Sequence, residues 1–326
     1  MRWPDSGGKC SGHDAESSTH STMTEGADRS TSGGGGNDRT GRQPARLPDA
    51  LRLGHVRLQV SDLERSLAYY TSVLGLEGRR IDRTSAALYA ADDPAPLVEL
   101  VERPGTTAIG ANSRLGLYHF AILVPNRAAL GRFLGHLART GTRLGASDHL
   151  VSEALYLRDP DGLGIEVYRD RPRSEWRHVA GEIAMASDPL DTAGVLAAGN
   201  DEPWTGMPRG TVMGHVHLHV GDIATASRFY HDALGLDRMV SSYPGALFMS
   251  AGGYHHHLGV NTWAGRAAPA SERDARLLEW RILLPTDDDV RVVADRVGAA
   301  GHGVTRESEG WLTKDPWGTP LRLLAG

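Results

Sequence analysis

Gly54, His55 and Val56 return as Gly214, His215 and Val216, inside two long segments that match almost residue for residue. GHVRLQVSDLERSLAYYTSVLGL runs from Gly54 to Leu76, and GHVHLHVGDIATASRFYHDALGL runs from Gly214 to Leu236 at an unvarying offset. A chain built on this repeat must form the same strand and helix twice. The polar residues that differ between the copies then indicate which copy kept its chemistry.

Each copy divides again. LGHVRLQV alternates as a strand does, Ser61 and Asp62 open a helix and Gly75 closes it. Leu63, Leu67, Tyr70 and Leu74 fall on one helical face, and strand-like runs follow at 87–90 and 96–101. The order recurs from Gly116: GLYHFAILVP reads as a strand and 128–140 as a helix closed by Gly141. ALYLRDPDGLGIEVY then reads as two strands around a tight Asp159-Pro160-Asp161-Gly162 turn. A third unit spans 213–261 and a fourth 277–324, in which LTKDPWGTPLRLL repeats the turn and last strand of the second. The expected fold is α+β, with four βαβββ modules paired into two cup-shaped, barrel-like domains. The expected boundaries are a disordered tail over 1–46, an N-terminal domain over 47–168, a linker over 169–211 and a C-terminal domain over 212–326. The linker is rich in Pro, Gly and charge and holds one helix near 190–198.

At 326 residues the chain is long enough for two such cores. A net charge of −5 argues against nucleic acid or an anionic membrane surface as partner. No run approaches the roughly 20 apolar residues that cross a bilayer, and the start lacks a secretory pattern, so a cytoplasmic protein is expected. The tail is Ser-, Thr-, Gly- and Asp-rich with GGGG at 33–36. Met23 provides an alternative start, which intact-mass measurement would reveal. Cys10 is the single cysteine and lies in the tail, which leaves neither a disulfide nor a cysteine nucleophile for the folded region.

Alternation sends His55, Arg57 and Gln59 to one face of their strand. In the second module His119 occupies the opening strand and Glu166 the closing strand. If those two modules share one cupped sheet, His55, His119 and Glu166 converge. Two imidazoles and a carboxylate on one side of a metal leave open positions opposite, an arrangement suited to non-haem Fe(II) and O2.

Tyr156, Asp159, Pro160, Gly162 and Glu166 in Y-x-x-D-P-x-G-x-x-x-E resemble the signature of the vicinal oxygen chelate superfamily, and more closely its ring-cleaving extradiol dioxygenases. GLYHFAILVP, DHLVSEALYLRDPDG, YHHHLGVNTWAG and the later DRPR are similar to the bacterial catechol 2,3-dioxygenase subgroup. The resemblance covers about 53–324. It implies Fe(II) held by His55, His119 and Glu166, with Mn(II) as the alternative metal and O2 as co-substrate. It also implies Tyr156 as a hydrogen-bond donor beside the metal, His149 as acid–base group, a small aromatic diol as substrate, and self-association.

In the second half, aligning the strands places Glu279 opposite His119, Arg322 opposite Glu166 and Leu312 opposite Tyr156. Arginine has no lone pair to give a metal. The intact site is therefore expected in the first half, with a supporting second half. His215, His217, His219 and His255 to His257, with Glu279, form the candidate for a second cluster; their alternative is a vestige of the duplication. Two rival functions stand beside the dioxygenase. A glyoxalase-like isomerase would take a fourth ligand from Glu99 or Glu102, and a metal-free binding protein would need no triad.

Overall fold

The computed structural model describes residues 46–326. The expected tail, with Cys10 and Met23, lies outside the described residues except for Arg46, whose guanidinium reaches His231 and Asp237. The first module runs β1 (Arg52–Leu53), β2 (Val56–Val60), α1 (Leu63–Ser72), β3 (Glu77–Arg80), β4 (Ser85–Tyr89) and β5 (Pro96–Glu102). The second runs β6 (Gly116–Leu123), α2 (Arg127–Arg139), β7 (Gly145–Asp148), β8 (Ser152–Arg158) and β9 (Gly164–Asp170). The connection holds β10 (His178–Val179), β11 (Glu182–Ile183) and α3 (Thr192–Ala198). The third module comprises β12 (Val212–His219), α4 (Ile223–Ser227), a wider π-type continuation over Arg228–Ala233, β13 (Asp237–Val240), β14 (Ala246–Ser250) and β15 (Leu258–Asn261). The fourth comprises β16 (Arg276–Leu284), α5 (Asp287–Ala299), β17 (Val304–Glu307), β18 (Gly310–Lys314) and β19 (Pro320–Ala325).

The local order follows from the sequence. The four module helices open on Asp62, Asn126, Asp222 and Thr286, whose side chains accept from the amides three residues on. Just past each helix lies a glycine in the left-handed region: Gly75, Gly141, Gly235 and Gly301. At Gly75 the need is doubled, since a Cβ there would also lie 2.7 Å from Gly206 Cα. The strands bury Val56, Leu58 and Val60, and at the repeat Val216, Leu218 and Val220, against the helices.

How the modules pair departs from expectation. β2 pairs antiparallel with β16 of the fourth module, and β6 with β12 of the third. One sheet therefore runs β17-β18-β19-β16-β2-β5-β4-β3 and the other β13-β14-β15-β12-β6-β9-β8-β7. Each cup draws on both halves of the sequence, which corrects the expected 47–168 and 212–326 cups. The first and second modules instead meet through helix and turn. Tyr70 on α1 donates to Asp159 (3.3 Å), and Ser61 and Arg65 each place a donor 2.6 Å from Asp161. The third and fourth modules repeat the contact, with Tyr230 donating to Asp315 at 2.9 Å. With helices thus committed to the neighbouring turn, each opening strand is left to pair with the other half.

Candidate metal centre

His119 stands on β6, His215 on β12 and Glu166 on β9, three adjacent strands of the eight-stranded sheet. Their side chains face the concave side. His119 Nε2 lies 3.0 Å and His215 Nε2 3.2 Å from the same Oε2 of Glu166, and the two nitrogens are 3.3 Å apart. All three residues are buried, and their donor atoms lie within 4.8 Å of one another. Burial alone would raise the Glu166 carboxyl, but the flanking His215 and His119 pull it well below its usual range. Burial lowers His119, favouring the neutral ring. An ionised carboxylate beside a neutral His119 is the protonation state that metal binding requires. The crowding of these three donor atoms fits a cation among them.

The expected triad is thus corrected at one place. His119 and Glu166 come together, but His55 lies in the other cup, 3.5 Å from Glu99. His215, the same residue of the repeat, stands in the position expected of His55. The reason is the exchanged pairing: β12 rather than β2 lies beside β6. The signal was present in the sequence, because both opening strands carry the same Gly-His-Val.

Tyr156 faces Glu166 across the β8–β9 pair. Its hydroxyl lies 2.5 Å from His149 Nε2, while His149 Nδ1 lies 2.6 Å from the Ala186 carbonyl. A carbonyl only accepts, so Nδ1 carries hydrogen; in the neutral ring Nε2 is bare and Tyr156 donates to it. Burial, reinforced by Glu166, holds the Tyr156 hydroxyl well above its usual range, and it stays protonated. His149 sits in a tight turn with Leu150 at φ 67°, a conformation strained for a branched side chain.

The other histidines gather here too, and not with Glu279 as a second cluster. His217 packs edge-on against His119 at 5.0 Å between ring centroids, and the His256 ring lies tilted against His215 at 4.1 Å. Burial, then the neighbouring imidazoles, push both rings well below the usual histidine range. Tyr118, Phe248 and Trp263 surround His217 at 5.1, 5.7 and 5.6 Å. The result is an aromatic wall beside the donor cluster.

In the other cup, ion pairs occupy the corresponding place. Arg322 binds Glu279 at 2.6 Å and Glu307 at 2.9 Å, Arg281 binds Glu279 at 2.8 Å, and Arg57 binds Glu99 at 2.9 Å. Glu102 accepts from the Leu63 amide at the start of α1. Neither Glu99 nor Glu102 reaches the donor cluster. The β15 residue paired with His217, as Glu99 is with Arg57, is Gly259.

Residues 52–167 and 212–318 match the model of the Glyoxalase/Bleomycin resistance protein/Dioxygenase superfamily, and the chain belongs to that superfamily. Within it, the chain is 44% identical over 274 residues to a catechol-2,3-dioxygenase of Bacillus subtilis (strain 168), covering 83% of this chain and 95% of the relative. It is 28% identical over 128 residues to a lactoylglutathione lyase of Salmonella typhimurium, covering 36% of this chain and 91% of that protein. Among solved structures, a putative dioxygenase from Bacillus subtilis has a TM-score of 0.58 at 13% identity, covering 86% of each chain. Glyoxalase I from Zea mays has a TM-score of 0.51 at 19% identity, covering 85% of this chain and 92% of that one. At these identities the two structures establish the shared fold.

Proposed function

We propose that the protein is an Fe(II)-dependent extradiol dioxygenase that opens catechol-type rings with O2. His119, His215 and Glu166 hold the iron, and Mn(II) is the alternative occupant. The observation that carries this reading is the convergence of two buried imidazoles and one carboxylate, and the 44% identity to a catechol-2,3-dioxygenase supports it. When bound, the metal acidifies a chelated hydroxyl and supplies the redox capacity that couples O2 to the ring.

The chain's own residues do the rest. His149, oriented by Ala186, has its Nε2 on the Tyr156 hydroxyl, so a substrate proton reaches it by relay: the Tyr156 oxygen takes the proton as its own passes to Nε2, and the relay can run back. Tyr156, holding the proton taken from the substrate once its own has passed to His149, then donates a hydrogen bond to the negative charge left on substrate oxygen. Tyr118, His217, Phe248 and Trp263 give a flat ring a surface to lie against and exclude water from one side. Gly259 bears on the isomerase alternative, since the strand that carries Glu99 in the other cup offers no carboxylate here. Self-association and a cytoplasmic location belong to the same proposal; no helix of the described residues is long and apolar enough to cross a membrane.

Anaerobic purification, Fe(II) loading and metal analysis, followed by oxygen uptake across catechols and hydroquinones, test it. Iron bound one per chain with catechol-dependent O2 consumption is expected. His215→Ala and Glu166→Ala should lose both, whereas His55→Ala and Glu99→Ala keep both. Failure to bind any metal would favour a binding protein, and thiol-adduct isomerisation without O2 uptake would favour the lyase reading.

A further inference from the structure

Asp170 ends β9 on the face that also carries Glu166 and Tyr168. Its Oδ1 lies 2.8 Å from His255 Nε2 and accepts from the Tyr254 hydroxyl at 3.2 Å, and Tyr168 in turn lies 2.7 Å from Tyr254. A carboxylate only accepts, so His255 carries hydrogen on Nε2. His255 Nδ1 stands 2.7 Å from His256 Nδ1, and one hydrogen must lie between them. A His255 that carries its one hydrogen on Nε2 offers Nδ1 as a lone pair, to which His256 donates from its own Nδ1, leaving the His256 Nε2 bare. His255 is completely buried and His256 nearly so, with the His256 ring against His215. The third histidine of the run turns aside, its Nδ1 2.8 Å from Ser250 Oγ.

We infer that Asp170 and His255 are positioning residues that fix the ring orientation and tautomer of His256, presenting a hydrogen-bond acceptor at the donor cluster. The use of that acceptor rests on the dioxygenase reading: it accepts a hydrogen bond from a hydroxyl of the diol and so orients the ring. The tautomer itself does not depend on that reading. Asp170 enforces it at a distance, much as a buried carboxylate orients a catalytic imidazole elsewhere.

Long-range proton–nitrogen spectra of the metal-free chain labelled with ¹⁵N-histidine test the tautomer, the His256 signals being assigned by their loss in His256→Gln. Nδ1–H with a bare Nε2 is expected in the wild type and in Asp170→Asn, whose side-chain oxygen still accepts from His255. In Asp170→Ala and His255→Phe the pattern should shift toward Nε2–H. An Nε2–H His256 in the wild type, or an unchanged signal in both of those variants, would overturn the inference whether or not the chain is a dioxygenase. In the iron-loaded protein, Asp170→Ala should lower kcat by about tenfold or more through a misoriented diol, with KM moving less than about twofold and iron content unchanged. Asp170→Asn should recover most of the rate. Loss of iron, or an equal fall in Asp170→Asn, would make Asp170 merely structural. Asp170→Asn and His255→Phe preserve the comparison if Asp170→Ala does not fold.

Discussion

Two buried carboxylates of the second module are driven in opposite directions by their neighbours. Glu166, between two imidazoles, stays ionised, whereas burial pushes Asp159 up to about 7 despite donors from the Leu163 and Asp161 amides and Tyr70. For Asp159 the folded state binds the proton more tightly than the unfolded chain, whose value is about 4. The stability it contributes is therefore full below about pH 4 and lost by about pH 7. In chemical denaturation across pH 4 to 8, wild type should lose stability relative to Asp159→Asn through that window and run parallel above it; a difference independent of pH would contradict this. Residue identities were unevenly legible in the sequence. His119, Tyr156 and Glu166 could be placed because one module holds all of them on known strands. Asp170 went unread although it follows Glu166 on the same face, because the partner that reveals it, His255, lies in another module.

Secondary-structure elements followed the sequence closely, since their signals are local. The α2 helix was expected at 128–140 and spans Arg127–Arg139; the linker helix was expected at 190–198 and spans Thr192–Ala198. The role of the linker was not legible. Rather than only joining domains, it lies across the rim of the site cup. Asp148 and Asp188 exchange backbone hydrogen bonds of 2.9 Å, Ala186 holds His149, and Glu182 accepts from the Ser241 and Ser242 amides at 3.0 and 3.1 Å. Trp176 and Ile183 pack with Phe248 and Tyr254 beneath it. Glu182→Ala should therefore speed hydrogen exchange at the Ser241 and Ser242 amides at a stability cost of about 1 kcal/mol, with exchange in the core of β6 unaltered. Unchanged exchange at those two amides would mean that Glu182 does not hold the rim.

At the scale of the molecule, the duplication raised the expectation of an asymmetric pair of cups, one for chemistry and one for support. It did not reveal which modules share a cup, because β2 and β12 present the same apolar face and the same histidine, and only long-range packing distinguishes them. Glu279 and Arg322, expected as replacements of a ligand set, form an ion pair, and they stand in the cup of His55 and not in that of His215. There the carboxylate and guanidinium are both buried, and truncating Glu279 leaves Arg322 with the half-exposed Glu307 alone. Glu279→Ala should cost about 1.5–3 kcal/mol of unfolding free energy, as for loss of hydrogen bonds to a charged group, while leaving iron content intact; a neutral effect would show that the network does not support the fold. The exchanged pairing also carries a lesson in descent. An unfused ancestor with this pairing would have built its sites across a dyad, each chain lending one histidine to the other's pair of ligands. On the proposed reading, fusion would have made the two sites inequivalent, freeing one to drift into salt bridges while the other still drew its donors from both ancestral genes.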